Sequence, residues 1–271
     1  RVLNPIASPL SVMRSSLLGS LVQAARGNLA RKVSRIRLFE IGRVFARDES
    51  VVDSDTTVAG IHQPLKVAGL ALGTADGLQW GTTARPVDFY DVKGDVEALL
   101  WPLRPVFVAA EHPALHPGRC AAVVLDGKTI GHVGELHPRW KQAYELPAVP
   151  VMFELDLQAV LQRPVPIAVP VSRQQAVLRD LALVAADALS HDALITALQN
   201  DPQGLVRSAR LFDVYRPKAG TGELAQGERS LAVRLELLDE TATLTDDRIE
   251  AAMAQALERA SAVGARLRAA A

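Results

Sequence analysis

A single cysteine, Cys120, leaves the chain unable to form an internal disulfide or a multi-cysteine zinc site, and it fits a reducing compartment. Aromatic residues make up only 4% of the 271, and formal charge is zero, with 30 basic side chains against 30 acidic. Neutrality excludes a polybasic coat, so any contact with nucleic acid has to rest on a local patch. No apolar run approaches the roughly 20 residues of a membrane-spanning helix. Walker and G-x-G-x-x-G patterns are missing, as is a serine-hydrolase elbow. "GTGELAQG" has neither the preceding strand nor the following helix that would turn its glycines into a phosphate cradle. The sequence opens at Arg1 with no initiator methionine and no signal pattern, and reads as a piece of a longer protein.

What is present is enough apolar material, 49% of residues, for one or two full cores. Pro164, Pro166 and Pro170 in "LQRPVPIAVPV" are too dense for a helix or a central strand, which predicts a domain boundary there and domains of 1–165 and 166–271. In the first, Leu17, Leu18, Leu21, Val22, Ala25 and Leu29 make the stripe of an amphipathic helix over Ser15–Ala30. Strands are expected in "IRLFEIGRVFA" and "LKVAGLALG", a helix in "VDFYDVKGDVEALLWPL", and a hairpin about Asp126-Gly127. The second domain reads strand, helix, strand, strand, helix, short strand. Ser190 and Thr245 stand at the helix caps, and Gly264 is the stop of the last helix. That order is the ferredoxin-like split βαββαβ, and the fold class is α+β.

His112, His116 and Cys120 are spaced four apart, as helical metal ligands would be. Pro113 and Pro117 disfavour helix there, so the three need not share a face, and no metal site is assigned; Cys120 reads as a buried thiol at a strand start. Charge is uneven along the chain. From Arg14 to Arg47, eight basic residues oppose Glu40 alone.

The run "NPIASPLSVMRSSLLGSLVQAARGNLARK" followed by "IRLFEIGRVF", with "DFYDVKGDVEALL", "HPGRCAAVVLDGKTIGHVGELHP" and "FELDL", resembles the C-terminal half of the β subunits of bacterial phenylalanyl-tRNA synthetases. "LRDLALV", "LFDVY", "RSLAVRLEL" and "TLTDDRIEAAM" are similar to the anticodon-binding module that ends those subunits. The resemblance implies a cytoplasmic α2β2 ligase that uses ATP and Mg2+ to charge tRNA, with catalysis on the α subunit. It makes the first domain a class II synthetase-like antiparallel sheet domain without catalytic motifs. Anchored at Phe45, the position of the arginine that grips the ATP α-phosphate holds Ala46. Arg47 and Glu49 stand one step out of phase, and no second ATP-binding arginine element follows. No catalytic residue, metal or cofactor is therefore assigned to this chain. Two rivals stand beside this reading: an active class II synthetase, and a stand-alone RNA-binding or scaffold protein.

The first helix resembles a class II subunit-contact element, which makes Arg14, Leu17, Leu21 and Leu29 candidates for an interface with the α subunit. In the second domain Leu231, Val233, Leu235 and Leu237 alternate toward the helices, so Ser230, Ala232, Arg234 and Glu236 face the open side of the sheet. Single-stranded RNA is read on such faces by stacking and cationic contacts. Candidate tRNA contacts are Arg179, Tyr215, Arg216, Ser230 and Arg234. Strand parity separates Phe212 from Tyr215 unless a bulge intervenes, and Phe212 is expected to be buried with Val214. Arg234 has a competing explanation, a cross-strand ion pair with Glu236 or Asp213. Residues 166–271 carry 12 basic and 14 acidic side chains, which predicts weak affinity helped by tRNA shape.

Overall fold

A computed structural model describes the chain except residues 1, 3, 8–10, 169, 218–223 and 269–271. It divides into two compact units, Arg1–Pro166 and Ile167–Ala271.

The first unit holds helix α1 (Leu18–Ala30), strands β1 (Ile36–Arg43), β2 (Ala46–Arg47), β3 (Ile61–His62) and β4 (Leu65–Leu72), helix α2 (Phe89–Leu100), strands β5 (Val106–Ala109), β6 (Leu115–Leu125) and β7 (Lys128–Leu136), helix α3 (Pro138–Ala143), strand β8 (Val151–Asp156) and helix α4 (Leu157–Leu161). Six strands form one antiparallel sheet in the order β1-β4-β8-β7-β6-β5, while β2 and β3 pair as a separate hairpin. Both faces are covered. Leu18, Leu21, Val22 and Ala25 of α1 pack with Leu70, Leu72 and Met152 on one, and Val92, Val96 and Leu100 of α2 pack with Val123, Val133 and Leu155 on the other. Asp126 and Gly127 both take positive φ, 49° and 75°, which lets a two-residue turn match the twist of β6 and β7. Cys120 lies inside β6 rather than at its start, and burial pushes its thiol pKa up.

No side chain caps α1 from its own N-cap position. Glu154 of β8 supplies the acceptor instead, taking the Leu17 N–H at 2.6 Å and the Ser16 hydroxyl at 3.1 Å, with its negative charge at the positive end of the helix dipole. Helix α2 carries a full capping box between Asp88 and Asp91.

Leu17 and Leu21, expected at a subunit interface, are buried in the unit's own core, Leu17 at 0% exposure, and Leu29 is half-buried against it. The apolar stripe is consumed by β4 and β8, and a side chain under its own sheet cannot touch a partner. Arg14 is likewise engaged, with Nε donating to the Arg43 carbonyl at 3.0 Å and Nη1 to Ser20 at 3.2 Å and to Glu40.

The second unit is β9 (Val177–Ala186), α5 (His191–Gln199), β10 (Val206–Tyr215), β11 (Glu228–Leu237), α6 (Asp246–Ala262) and β12 (Arg266–Leu267). The sheet runs β10-β11-β9-β12 with every pair antiparallel, the ferredoxin-like arrangement. Leu181, Leu183, Val233 and Leu235 of the sheet meet Leu194 and Leu198 of α5 and Ile249, Ala256 and Ala260 of α6. Ser190 Oγ caps α5 through the Ala193 N–H at 3.1 Å. Thr245 takes the extended N-cap backbone of α6, but its side chain makes no capping bond, contrary to the sequence reading. Asp246 and Asp247 in the first turn supply the favourable charge. Gly264, at φ 87°, follows the end of α6.

One polar knot ties these helices to the sheet. The buried Asp201 carboxylate accepts the N–H groups of Leu205 at 2.7 Å and Val206 at 3.0 Å, and pairs with Arg259 at 3.5 Å.

Two predictions follow from these polar anchors. Asp201→Ala leaves the backbone N–H groups of Gln203, Leu205 and Val206 without their side-chain acceptor and takes the carboxylate from the mostly buried Arg259, which keeps only the Leu198 carbonyl. It should destabilise the second unit by about 3–5 kcal/mol in urea unfolding, with Asp201→Asn costing less. In the first unit, Nη1 and Nη2 of Arg85 lie 2.7 and 2.6 Å from the two Asp91 oxygens and hold that carboxyl down at about 2. A carboxyl depressed in the folded state contributes stability that is complete above the ordinary aspartate range and is lost as pH falls toward 2. The contribution is about 1 kcal/mol, since Arg85 is half-exposed and screened, and Asp91→Asn should remove that portion of the acid slope in unfolding experiments between pH 4.5 and 2.

Candidate nucleic-acid interface

Helices cover one face of the second unit's sheet, and β11 fixes which side chains leave by the other. Val233 and Leu235 are fully buried under the helices, so Ala232 and Arg234 emerge on the open face. Register then carries this assignment across the sheet. Arg210, Arg234 and Asp180 form one row, and Tyr215, Ser230, Val184 and Arg266 another.

Between these rows β10 bulges. Leu211 pairs with Val233 and Asp213 with Ala232, so Phe212 has no opposite number. The extra residue lets Phe212 and Tyr215 share the open face, with Phe212 beside Arg234, whose guanidinium carbon sits 5.2 Å from the ring centroid. Phe212 is 53% exposed, which corrects the expectation that it is buried with Val214. Tyr215 remains on the same face, with the Arg268 guanidinium carbon 5.3 Å from its ring. Two aromatic rings, each under a guanidinium, therefore share one surface.

The candidate cations are already occupied. Arg234 donates to both oxygens of Asp180, at 2.7 and 2.8 Å, so its competing ion pair is real but involves neither Glu236 nor Asp213. That contact lowers the Asp180 pKa and raises that of Arg234. Arg266 makes the same bidentate pair with Glu228, both bonds at 2.9 Å, and the partner holds the Glu228 carboxyl low. Arg216 lies 3.3 Å from Asp187. Arg210, absent from the sequence-based set, is exposed and has no ion pair among the described residues.

Two of the sequence candidates are not exposed on the open face. Arg179 pairs with Leu235, so it leaves the sheet on the helix side, opposite Arg234. Ser230 is on the open face but only 5% exposed, lodged between Tyr215 and Val184, and its hydroxyl is not available to RNA. The loop after Arg216-Pro217 falls largely in residues 218–223, outside the described ones.

A signal for the bulge was in the sequence. Ala209, Leu211 and Val214 are all apolar, and the odd step from 211 to 214 breaks the period of two. In the first unit, Ala46 and Arg47 fall in the short hairpin with Ile61 and His62, and Phe39 and Ile41 stand exposed on the edge strand β1, at 76% and 53%. His112 is ring-to-ring with His132 at 5.0 Å, while His116 Nδ1 accepts the Gly118 N–H. Among the described residues no group of three or more His, Cys, Asp or Glu is placed to hold a metal ion, and no helix is long and apolar enough to cross a membrane.

Residues 172–268 match the model of the ferredoxin-fold anticodon binding domain, and residues 1–157 match that of the phenylalanyl tRNA synthetase beta chain CLM domain. The phenylalanine–tRNA ligase beta subunit of Ralstonia nicotianae is 52% identical over 274 residues, covering 99% of this chain and 34% of that protein. Those of Cupriavidus pinatubonensis and Burkholderia lata are 49% identical, covering 93% and 99% of this chain and 32% and 34% of theirs. The chain thus spans about a third of the length of the curated relatives it matches. Among solved structures, Desulfitobacterium hafniense PylSc, a pyrrolysyl tRNA synthetase, aligns with a TM-score of 0.37 at 13% identity over 55% of this chain and 47% of that one, a likeness too low to argue from. With one model covering more than half of its residues and the other most of the remainder, the chain belongs to the phenylalanyl-tRNA synthetase β chain family.

Proposed function

We propose that this chain works as the part of a cytoplasmic phenylalanine–tRNA ligase that holds the catalytic α subunit through its first unit and reads the tRNA anticodon region through its second. The observation that carries the reading is the pair of guanidinium-topped rings, Phe212 with Arg234 and Tyr215 with Arg268, on one open sheet face. Exposed aromatic faces accept any base by stacking, and the adjacent cations supply attraction to the backbone. ATP and Mg2+ belong, in this reading, to the α subunit of an α2β2 enzyme. Ala46 offers no cation to a phosphate, and charge developing during adenylate formation needs one held in place.

Because Arg234 is fastened to Asp180, binding RNA involves an exchange of one acceptor for another. Net affinity is the difference between two similar contacts, consistent with a unit whose acidic side chains outnumber its basic ones. Contact with the α subunit is assigned to the edge of β1, where Phe39 and Ile41 present adjacent apolar side chains that the unit's own core does not use.

In the reconstituted enzyme, Phe212→Ala and Arg234→Ala should each raise the tRNA Michaelis constant by about 5- to 50-fold, the scale of one lost base–aromatic contact, while adenylate formation is unchanged. Asp180→Asn should act in the opposite direction at low salt, because it releases Arg234 for the phosphate backbone. Unchanged tRNA affinity in all three variants would leave Arg234 as a structural ion pair. A double substitution of Phe39 and Ile41 by aspartate should abolish co-purification with the α subunit without lowering the thermal midpoint of this chain. Retained assembly would place the interface elsewhere.

A further inference from the structure

A cleft runs along the α1 side of the first unit's sheet, well away in character from an RNA surface. Its larger part, a cavity of about 380 Å³, is walled by Val22, Leu136, Trp140 and Tyr144. A smaller cavity of about 210 Å³ adjoins it and is lined by Lys66, Thr129, His132 and Asp156. Leu18, His112 and Glu154 line both, so Glu154 stands where an apolar chamber meets a polar one.

Glu154 is fixed and only half used. One carboxylate oxygen takes the Leu17 N–H and the Ser16 hydroxyl; the other has no hydrogen bond among the described residues. The cations nearby are engaged elsewhere: Lys66 lies 3.9 Å from Asp156, and Arg139 donates to the Pro113 carbonyl at 2.6 Å while stacking over Trp140 at 4.8 Å. His132 is the cross-strand neighbour of Glu154 and stacks with His112. Burial lowers the pKa of both histidines, so neither places a positive charge beside the carboxylate in neutral solution.

We propose that this cleft binds a small primary amine carried on a flat apolar body, with the ammonium on the free oxygen of Glu154 and the body between Val22, Leu136, Trp140 and Tyr144. An engineered apolar cavity of about 150 Å³ is known to suffice for benzene, so the larger chamber has room for a ring and its tether. An anion would meet the Glu154 charge directly. A neutral apolar guest would cover that carboxylate without pairing it, at a desolvation cost. An ammonium satisfies it with a charge-assisted bond. This assignment is independent of the RNA face, since it concerns a different unit and a different ligand.

Calorimetric titration of the chain with phenethylamine, and with 3-phenylpropionate as the charge-reversed control, tests it. Saturable one-to-one binding of the amine and none of the acid is expected. Glu154→Gln keeps an oxygen to cap α1 but removes the charge, and should weaken amine binding by about tenfold or more. Gly19 provides a second variant at an exposed helix position. It lines the larger cavity, and a Cβ built on it meets nothing within 4 Å. Gly19→Leu also replaces a helix glycine with a strong helix former. It should block the chamber and abolish binding while the thermal midpoint stays level or rises. No saturable binding of phenethylamine, equal binding of the acid, or undiminished binding in either variant would overturn the proposal.

Discussion

Alternation along antiparallel strands is the constraint from which the second unit's surface follows. Once Val233 and Leu235 are sealed under α5 and α6, Arg234 has one direction left, and the register of β9 and β10 passes that decision to every neighbouring residue. Arg179 is excluded from the face by this rule, and Tyr215 is included by it. Strand β10 departs from regular register twice, between Val206 and Ser208 and at Phe212, and the second bulge is what makes two rings available instead of one. A regular β10 would have turned one of the two rings under the helices: Tyr215 if Leu211 kept its place in the core, Phe212 if Tyr215 kept its place on the open face.

Electrostatics on this face are arranged for restraint. Asp180, Glu228 and Asp187 each hold a guanidinium, so the arginines are pre-positioned and partly neutralised. Exposed pairs of this kind contribute little to stability, ~0–1 kcal/mol, and are easily exchanged. A surface built this way gains little from an arbitrary polyanion, because a phosphate contact by Arg216, Arg234 or Arg266 gives up a carboxylate contact. On the proposed reading, selectivity falls to the rings, which stack only on bases that are splayed out and within reach.

Much of this architecture was legible in the sequence because it obeys local rules. The helical stripe of α1, the Asp126-Gly127 turn, the Ser190 cap and the βαββαβ order are each written in adjacent residues. What periodicity could not say is which surface a stripe is used against. Leu17 and Leu21 read equally well as core or interface, and the choice depended on β4 and β8 arriving over them from a distance of tens of residues. Asp180 as the partner of Arg234, 54 residues away, was hidden for the same reason, whereas Glu236 and Asp213 were merely nearer in the sequence or across the adjacent hairpin. The cap on α1 was less visible still. It is a glutamate from β8, 137 residues from the N–H it accepts, and no local pattern records it.

That distant cap also explains why a cavity persists beside α1. Packing removes space where side chains of adjoining elements can interdigitate, but here the closest contact between α1 and β8 is polar and is made at the helix end. Glu154 draws the first turn onto the strand, while Gly19, one position past the start of the helix, contributes no side chain to the gap above it. Trp140 and Tyr144 approach from the far side, and Trp140 is held there by Arg139 and by the Pro113 carbonyl, at 3.4 Å from its ring nitrogen. The chamber is therefore sustained by a helix cap that the fold of the unit requires, because the first N–H groups of α1 have no acceptor within the helix.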